Sequence, residues 1–204
     1  MMKKLILSVL FITTLSSLQA QDENEKEKRP FKENLFTGGS VSLAFYNNTF
    51  LIGGSPVFGY SLTNWADAGI VVNYNYTSYR DVTVYDDRLR QTQFGGGVFA
   101  KLYPVRFLFA QAQVEYNTIK QKYIPPAGGA TVKYPSSNAN SFLVGGGYTS
   151  GRYGRGGEPF YYLAVLFDVS GDVNSPYTDA GGRSIPIIRA GLQIPLFQGQ
   201  GNNR

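Results

Sequence analysis

The chain has 204 residues, of which 43% are hydrophobic, 16% charged and 15% aromatic, with a formal charge of +5. Soluble domains carry roughly 25% charge, and here Gly, Asn, Ser, Thr and Tyr fill the deficit rather than aliphatics. The absence of Cys excludes disulfides, thiolate metal sites, Cys nucleophiles and a lipid-modified N-terminal Cys, while the absence of His removes the commonest general base and metal ligand.

Residues 1–20 (MMKKLILSVLFITTLSSLQA) combine a cationic start at Lys3 and Lys4, a short apolar run and a small residue, Ala20, at the end. That run is too short to span ~30 Å of hydrocarbon, so the segment is predicted to be a secretory signal peptide. Its removal takes the formal charge from +5 to +3, too small a surplus to argue for nucleic acid. The GRYGRGGEP stretch (151–159) has two arginines, far below an RGG-type basic patch. Residues 21–34 mix acids and bases with almost nothing apolar and are predicted to be a flexible charged tail.

From Leu35 the periodicity is two. In 68–77, Ile70, Val72, Tyr74 and Tyr76 share one face, opposite Gly69, Asn73, Asn75 and Thr77. In 107–117, Leu108, Ala110, Ala112, Val114 and Tyr116 oppose Gln111, Gln113, Glu115 and Asn117. In 188–196, Ile188, Ala190, Leu192, Ile194 and Leu196 oppose Arg189, Gly191 and Gln193. Weaker segments at 35–46, 49–60, 90–102, 140–149 and 160–170 bring the strands to eight.

The polar faces carry Asn, Gln, Ser, Thr and Gly, whereas a soluble surface is about 25–35% charged. That pattern predicts an apolar exterior around an uncharged-polar lumen, hence a closed antiparallel up-and-down transmembrane β-barrel over 35–197, followed by a tail, 198–204. Connections at 62–66 and 103–106 are short, and 150–159 is moderate. Those at 79–89, 121–139 and 171–183 are long, the asymmetry of periplasmic turns and outer loops. Aromatics near strand ends, including Tyr60, Trp65, Tyr76, Tyr79, Tyr103, Tyr116 and Tyr161, are expected to form two interfacial girdles.

Four mid-strand charges, Lys101, Glu115, Asp168 and Arg189, fall on the lumen face. An eight-stranded bore is just wide enough for side chains, and buried charges must pair. A lumen network is therefore expected, with Asp168 and Glu115 around Arg189 and Lys101 apart from them. It is expected to act as a plug, with a gate or proton relay as the alternative. The glycine clusters lack the helix and GK[ST] of a phosphate loop. Asp81, Asp86, Asp87, Asp172, Asn174 and Asp179 lack EF-hand spacing and read as solvated loop residues, so no metal or cofactor is expected.

IRAGLQIPLF (188–197) resembles the C-terminal signal that outer-membrane barrels present to their assembly machinery, carried by Arg189, Gly191, Ile194, Leu196 and Phe197. It departs from that pattern in the residues beyond Phe197. Together, FTGGSVSLAF (36–45), FGGGVFAKLYP (94–104), NSPY (174–177) and IIRAG (187–191) resemble the small eight-stranded outer-membrane β-barrel proteins common in Bacteroidota, distantly like the OmpX and OmpA membrane domains. The resemblance spans 34–197 and implies an outer-membrane location, with lipid and lipopolysaccharide as surroundings and the assembly machinery as a partner. It brings no catalytic residues. The expected role is a non-enzymatic structural or interaction component of the cell envelope with outward loops and an envelope partner. The alternatives are a small channel or transporter for small or hydrophobic solutes, or a soluble periplasmic lipocalin-like binding barrel.

Overall fold

A computed structural model of the chain describes residues 31–126, 129–155, 157–179 and 182–198. The expected signal peptide, residues 21–30 of the charged tail and residues 199–204 lie outside the described residues.

The barrel strands are β1 (Leu35–Tyr46), β2 (Thr49–Thr63), β3 (Ala66–Arg80), β4 (Arg88–Val105) and β5 (Leu108–Ile124). A two-residue ladder, β6 (Val132–Lys133), hangs on the end of β5. The ring continues with β7 (Ser137–Thr149), β8 (Phe160–Asp168) and β9 (Ile187–Pro195). Each barrel strand pairs antiparallel with its neighbours, β5 with β7, and β9 returns to β1. The result is a closed eight-stranded up-and-down β-barrel with no open edge.

Local chemistry explains the connections. Asn47 and Asn48 both adopt left-handed φ, 39° and 61°, which a two-residue I′ hairpin between twisted strands requires and Asn tolerates. The opposite end turns in two residues at Asn64–Trp65 and Arg106–Phe107, and in a longer bend over 150–159. The outer end is the one bearing residues 81–87, β6 and residues 169–179, and the inner end is the one where β1 begins and β9 ends. Pro56, which has no N–H to give, faces outward where the β2–β3 ladder skips a step.

The alternation sets the polarity. In β8, Tyr161, Leu163, Val165 and Phe167 are exposed, whereas Phe160, Tyr162, Ala164, Leu166 and Asp168 are buried. In β5 the exposed face is Leu108, Ala110, Ala112, Val114 and Tyr116, and the buried face holds Gln111, Gln113, Glu115 and Asn117. The interior is thus polar at mid-height and the exterior apolar, the reverse of a soluble core.

Three sequence expectations change. Strands β2 to β5 run up to several residues past their expected ends, so β3 takes in Asp67, whereas β8 and β9 stop at Asp168 and Pro195, short of theirs. The last four residues of the charged tail form a 3-10 turn, Phe31–Asn34, whose Phe31 ring stacks on Tyr60 at 4.9 Å while Asn34 Nδ2 donates to the Tyr60 hydroxyl. Tyr79 and Tyr103 are not girdle residues, because they share parity with Asn75 and Lys101 and point inward, only 7% and 4% exposed. Of the other predicted girdle residues, Tyr116 and Tyr161 face outward and exposed, and Tyr60, Trp65 and Tyr76 are half-buried.

Candidate functional site: the lumen network

The outer half of the lumen is built around Glu115 on β5. Its carboxylate accepts from Arg189 Nη2 at 3.1 Å, Asn117 Nδ2 at 2.9 Å, the Tyr177 hydroxyl at 2.7 Å and Gln113 Nε2 at 2.5 Å. Arg189, from β9, also donates to Gln113 Oε1 at 3.1 Å. Period-two alternation puts Gln113, Glu115 and Asn117 on one face of one strand, so neutral amides flank the carboxylate above and below.

Tyr177 comes from the connection between β8 and β9, whose described residues around Ser175 and Tyr177 fold back into the mouth. Its hydroxyl donates to Glu115 and accepts from Gln93 Nε2 at 3.0 Å and Asn75 Nδ2 at 3.2 Å, so the side chain is fully buried with its polar atom satisfied. Its ring packs with Leu143, Leu166, Ile185 and Ile187. Asp168 does not join Arg189. Arg189 pairs in register with Ala164, four residues along β8 and so roughly 13 Å below Asp168. Asp168 instead accepts from the Phe142 and Ser170 amides and the Ser175 hydroxyl, and Ser175 Oγ in turn accepts from the Tyr177 amide at 3.2 Å. Asp168 therefore anchors the segment that carries Tyr177.

The inner half is different. Lys101 Nζ lies 3.9 Å from the Tyr162 ring centroid, 5.3 Å from Phe109 and 5.5 Å from Phe99, a cation held on aromatic faces. Tyr162 covers Gly191, its cross-strand partner, where an added Cβ would come within 2.3 Å of the ring. The lumen thus supplies a local reason for glycine at that position of the predicted assembly signal. Of its other members, Ile194 lies on the outward face of β9, and Leu196 donates its amide to Leu35 O at 2.7 Å. Phe197 leaves the ladder, exposed, with φ 55°.

Asp67 stands opposite Lys101 in the β3–β4 register. It pairs with Arg152, whose Nη2 and Nε reach the carboxylate at 2.6 and 3.3 Å, and it accepts from Gln193 Nε2 at 2.9 Å. Arg152 enters from the 150–159 bend, ties to the Thr63 and Asn64 carbonyls and lies 4.6 Å from the Tyr103 ring. The sequence reading missed Asp67 and Arg152.

Outside the lumen, Asp87 is not a solvated loop acid. It is buried and accepts from the amides of Val82 at 2.7 Å, Thr83 at 2.8 Å and Val84 at 2.9 Å, and from the Tyr123 hydroxyl at 3.0 Å. Desolvation by itself raises its pKa. The donors at Val84, Thr83, Val82 and Tyr123 outweigh that and hold the carboxyl below its usual range.

No protein-family model matches the chain, and no curated protein sequence matches it. Among solved structures it is similar to Neisserial surface protein A (NspA), at 11% identity and a TM-score of 0.39, over 79% of this chain and 96% of that one. It is also similar to the N-terminal β-barrel domain of Pseudomonas aeruginosa OprF, at 13% identity and a TM-score of 0.40, over 79% and 97% of the two chains.

Proposed function

We propose that the protein is an integral outer-membrane barrel with its outer end facing the medium, a non-enzymatic structural or interaction component of the envelope. The observation that carries this reading is the inverted polarity. Val41, Phe58, Ile70, Phe94, Val98 and Leu163 are each more than 45% exposed on the wall, while Asn73, Asn75, Gln93 and Glu115 are at most 1% exposed inside. Soluble monomers rarely expose apolar patches beyond a few hundred Å², and here the belt continues from strand to strand. On β5 the exposed uncharged face from Leu108 to Thr118 runs roughly 34 Å along the strand. At a tilt of ~40° this is about 26 Å along the normal, matching the ~25 Å band of such barrels. A soluble ligand carrier requires the opposite arrangement.

A structural role is favoured over a channel because Tyr177, Arg189, Glu115 and their amide partners fill the bore. The partners are the lipid and lipopolysaccharide around the belt, the assembly machinery during biogenesis and an envelope protein at the outer loops. Membrane fractionation followed by unheated and heated electrophoresis tests the location. The expected result is a heat-shifted band in the outer-membrane fraction, and a soluble, unshifted band would overturn the reading. Planar-bilayer recording tests the plug, since discrete, reproducible conductance steps from the purified protein would favour a channel.

A further inference from the structure

The wall changes character above the belt, on one side only. On β5 the outward face passes from Val114 and Tyr116 to Lys120 and Lys122, and on β4 from Val98 and Phe94 to Arg90 and Arg88. On β3 it passes from Tyr74 to Arg80. The register sets these cations against one another. Arg80 stands opposite Arg88, Arg90 opposite Lys122, and Lys122 opposite Lys133 on β6. Directly opposed side chains have Cβ atoms about 4.5–5.5 Å apart, and like charges there are destabilising.

The fold does little to neutralise them. Arg88 meets Asp86 at 3.8 Å in a largely exposed pair. Among the described residues, Arg80, Arg90, Lys120, Lys122 and Lys133 form no ion pair. The carboxylate nearest in sequence, Asp81, accepts from Asn48 Nδ2 and the Asp86 amide. Around the rest of this end the outward residues are uncharged: Asn138 and Asn140 on β7, next to β5, then Phe167 on β8, Ile188 on β9 and Phe45 on β1.

We propose that Arg80, Arg88, Arg90, Lys120, Lys122 and Lys133 form a binding surface for the phosphate groups of a phosphorylated glycolipid in the outer leaflet. This rests on the outer-membrane reading and its orientation. Lys120 and Arg90 stand two residues beyond Thr118 and Thr92, the last uncharged outward residues of their strands, roughly 5 Å further along the normal at a ~40° tilt. That is the depth of the headgroup layer, which adds about 5–8 Å per leaflet to the hydrocarbon, and long cationic side chains reach back towards it. The anion supplied by the lipid is what the opposed cations lack.

The test uses the folded full-length protein in neutral detergent with three probes: diphosphoryl lipid A, the same glycolipid without phosphates, and inorganic phosphate. At low salt the diphosphoryl lipid is retained and the phosphate-free lipid is not. A contribution of about fivefold per cation makes R90Q/K122Q roughly 25-fold weaker. K32Q, at the exposed inner-end Lys32, is unchanged. The lipid-free double variant unfolds at the same or a higher temperature than the parent, because a like-charge pair is gone. Equal retention of the phosphate-free lipid, an equal loss in K32Q, or a lower unfolding temperature for the double variant would overturn the proposal. Displacement of the lipid by stoichiometric inorganic phosphate would replace the membrane source with a free one. A soluble, unshifted protein would fail the location reading separately, before any lipid is added.

Discussion

The two halves of the lumen solve the same electrostatic problem with different materials. The outer half surrounds one ion pair, Glu115 with Arg189, with neutral amides and a phenol. The inner half places one cation on aromatic faces and a second against Asp67. The strands alone complete neither arrangement, because Tyr177 and Arg152 both arrive from connections. The difference lies in redundancy: Asp67 has two cations at hand, Arg152 bonded and Lys101 opposite, whereas Glu115 has one.

The widest separation of the halves comes from truncating each arginine. Arg189→Met leaves Glu115 buried without a cation and is expected to cost about 3–5 kcal/mol, read from urea unfolding in detergent by the heat-shifted band. Arg152→Met, with Lys101 still opposite Asp67, is expected to cost about 2 kcal/mol. Its native-state signature is local: Trp65, the single tryptophan, follows Asn64, whose carbonyl Arg152 holds. The Trp65 emission should shift in Arg152→Met and stay put in Arg189→Met. An equal cost for the two variants would remove the redundancy argument.

Tyr177→Phe sharpens the comparison on the outer side. It keeps the ring and removes a hydroxyl that serves Glu115, Gln93 and Asn75, so about 1–2 kcal/mol is expected, again by urea unfolding. The smallest effect is local and pH-dependent. Because the folded carboxyl of Asp87 is held below its unfolded value near 4, its contribution is full above that value and is lost as pH falls through the folded one. Hydrogen-exchange protection of the Val82, Thr83 and Val84 amides should therefore drop in acid, and Asp87→Asn should abolish that dependence without altering the lumen.

Period two made the strands and their faces legible, since Gln113, Glu115 and Arg189 sit inside by parity alone. The same parity contained the correction for Tyr79 and Tyr103. Their nearness to strand ends suggested a girdle, while counting two at a time from Asn75 and Lys101 turns them inward. Asp67 was hidden by its position beside a turn. Once it is included, the inward strand charges are three anions against two cations, and that imbalance is a signal for a cation from a connection. Which connection supplies it, and that Tyr177 folds back into the bore, depends on how loops of similar composition fill a space that only closure creates.

Tyr177 also has a mechanical meaning. Ladder hydrogen bonds resist sliding of one strand along another, but they resist ovalisation of a thin tube poorly. Through its hydroxyl, the β8–β9 loop grips β3, β4 and β5, while Arg189 and Gln193 reach from β9 to β5 and β3. These side chains act as spokes across the bore and tie opposite walls together against flattening of the cross-section.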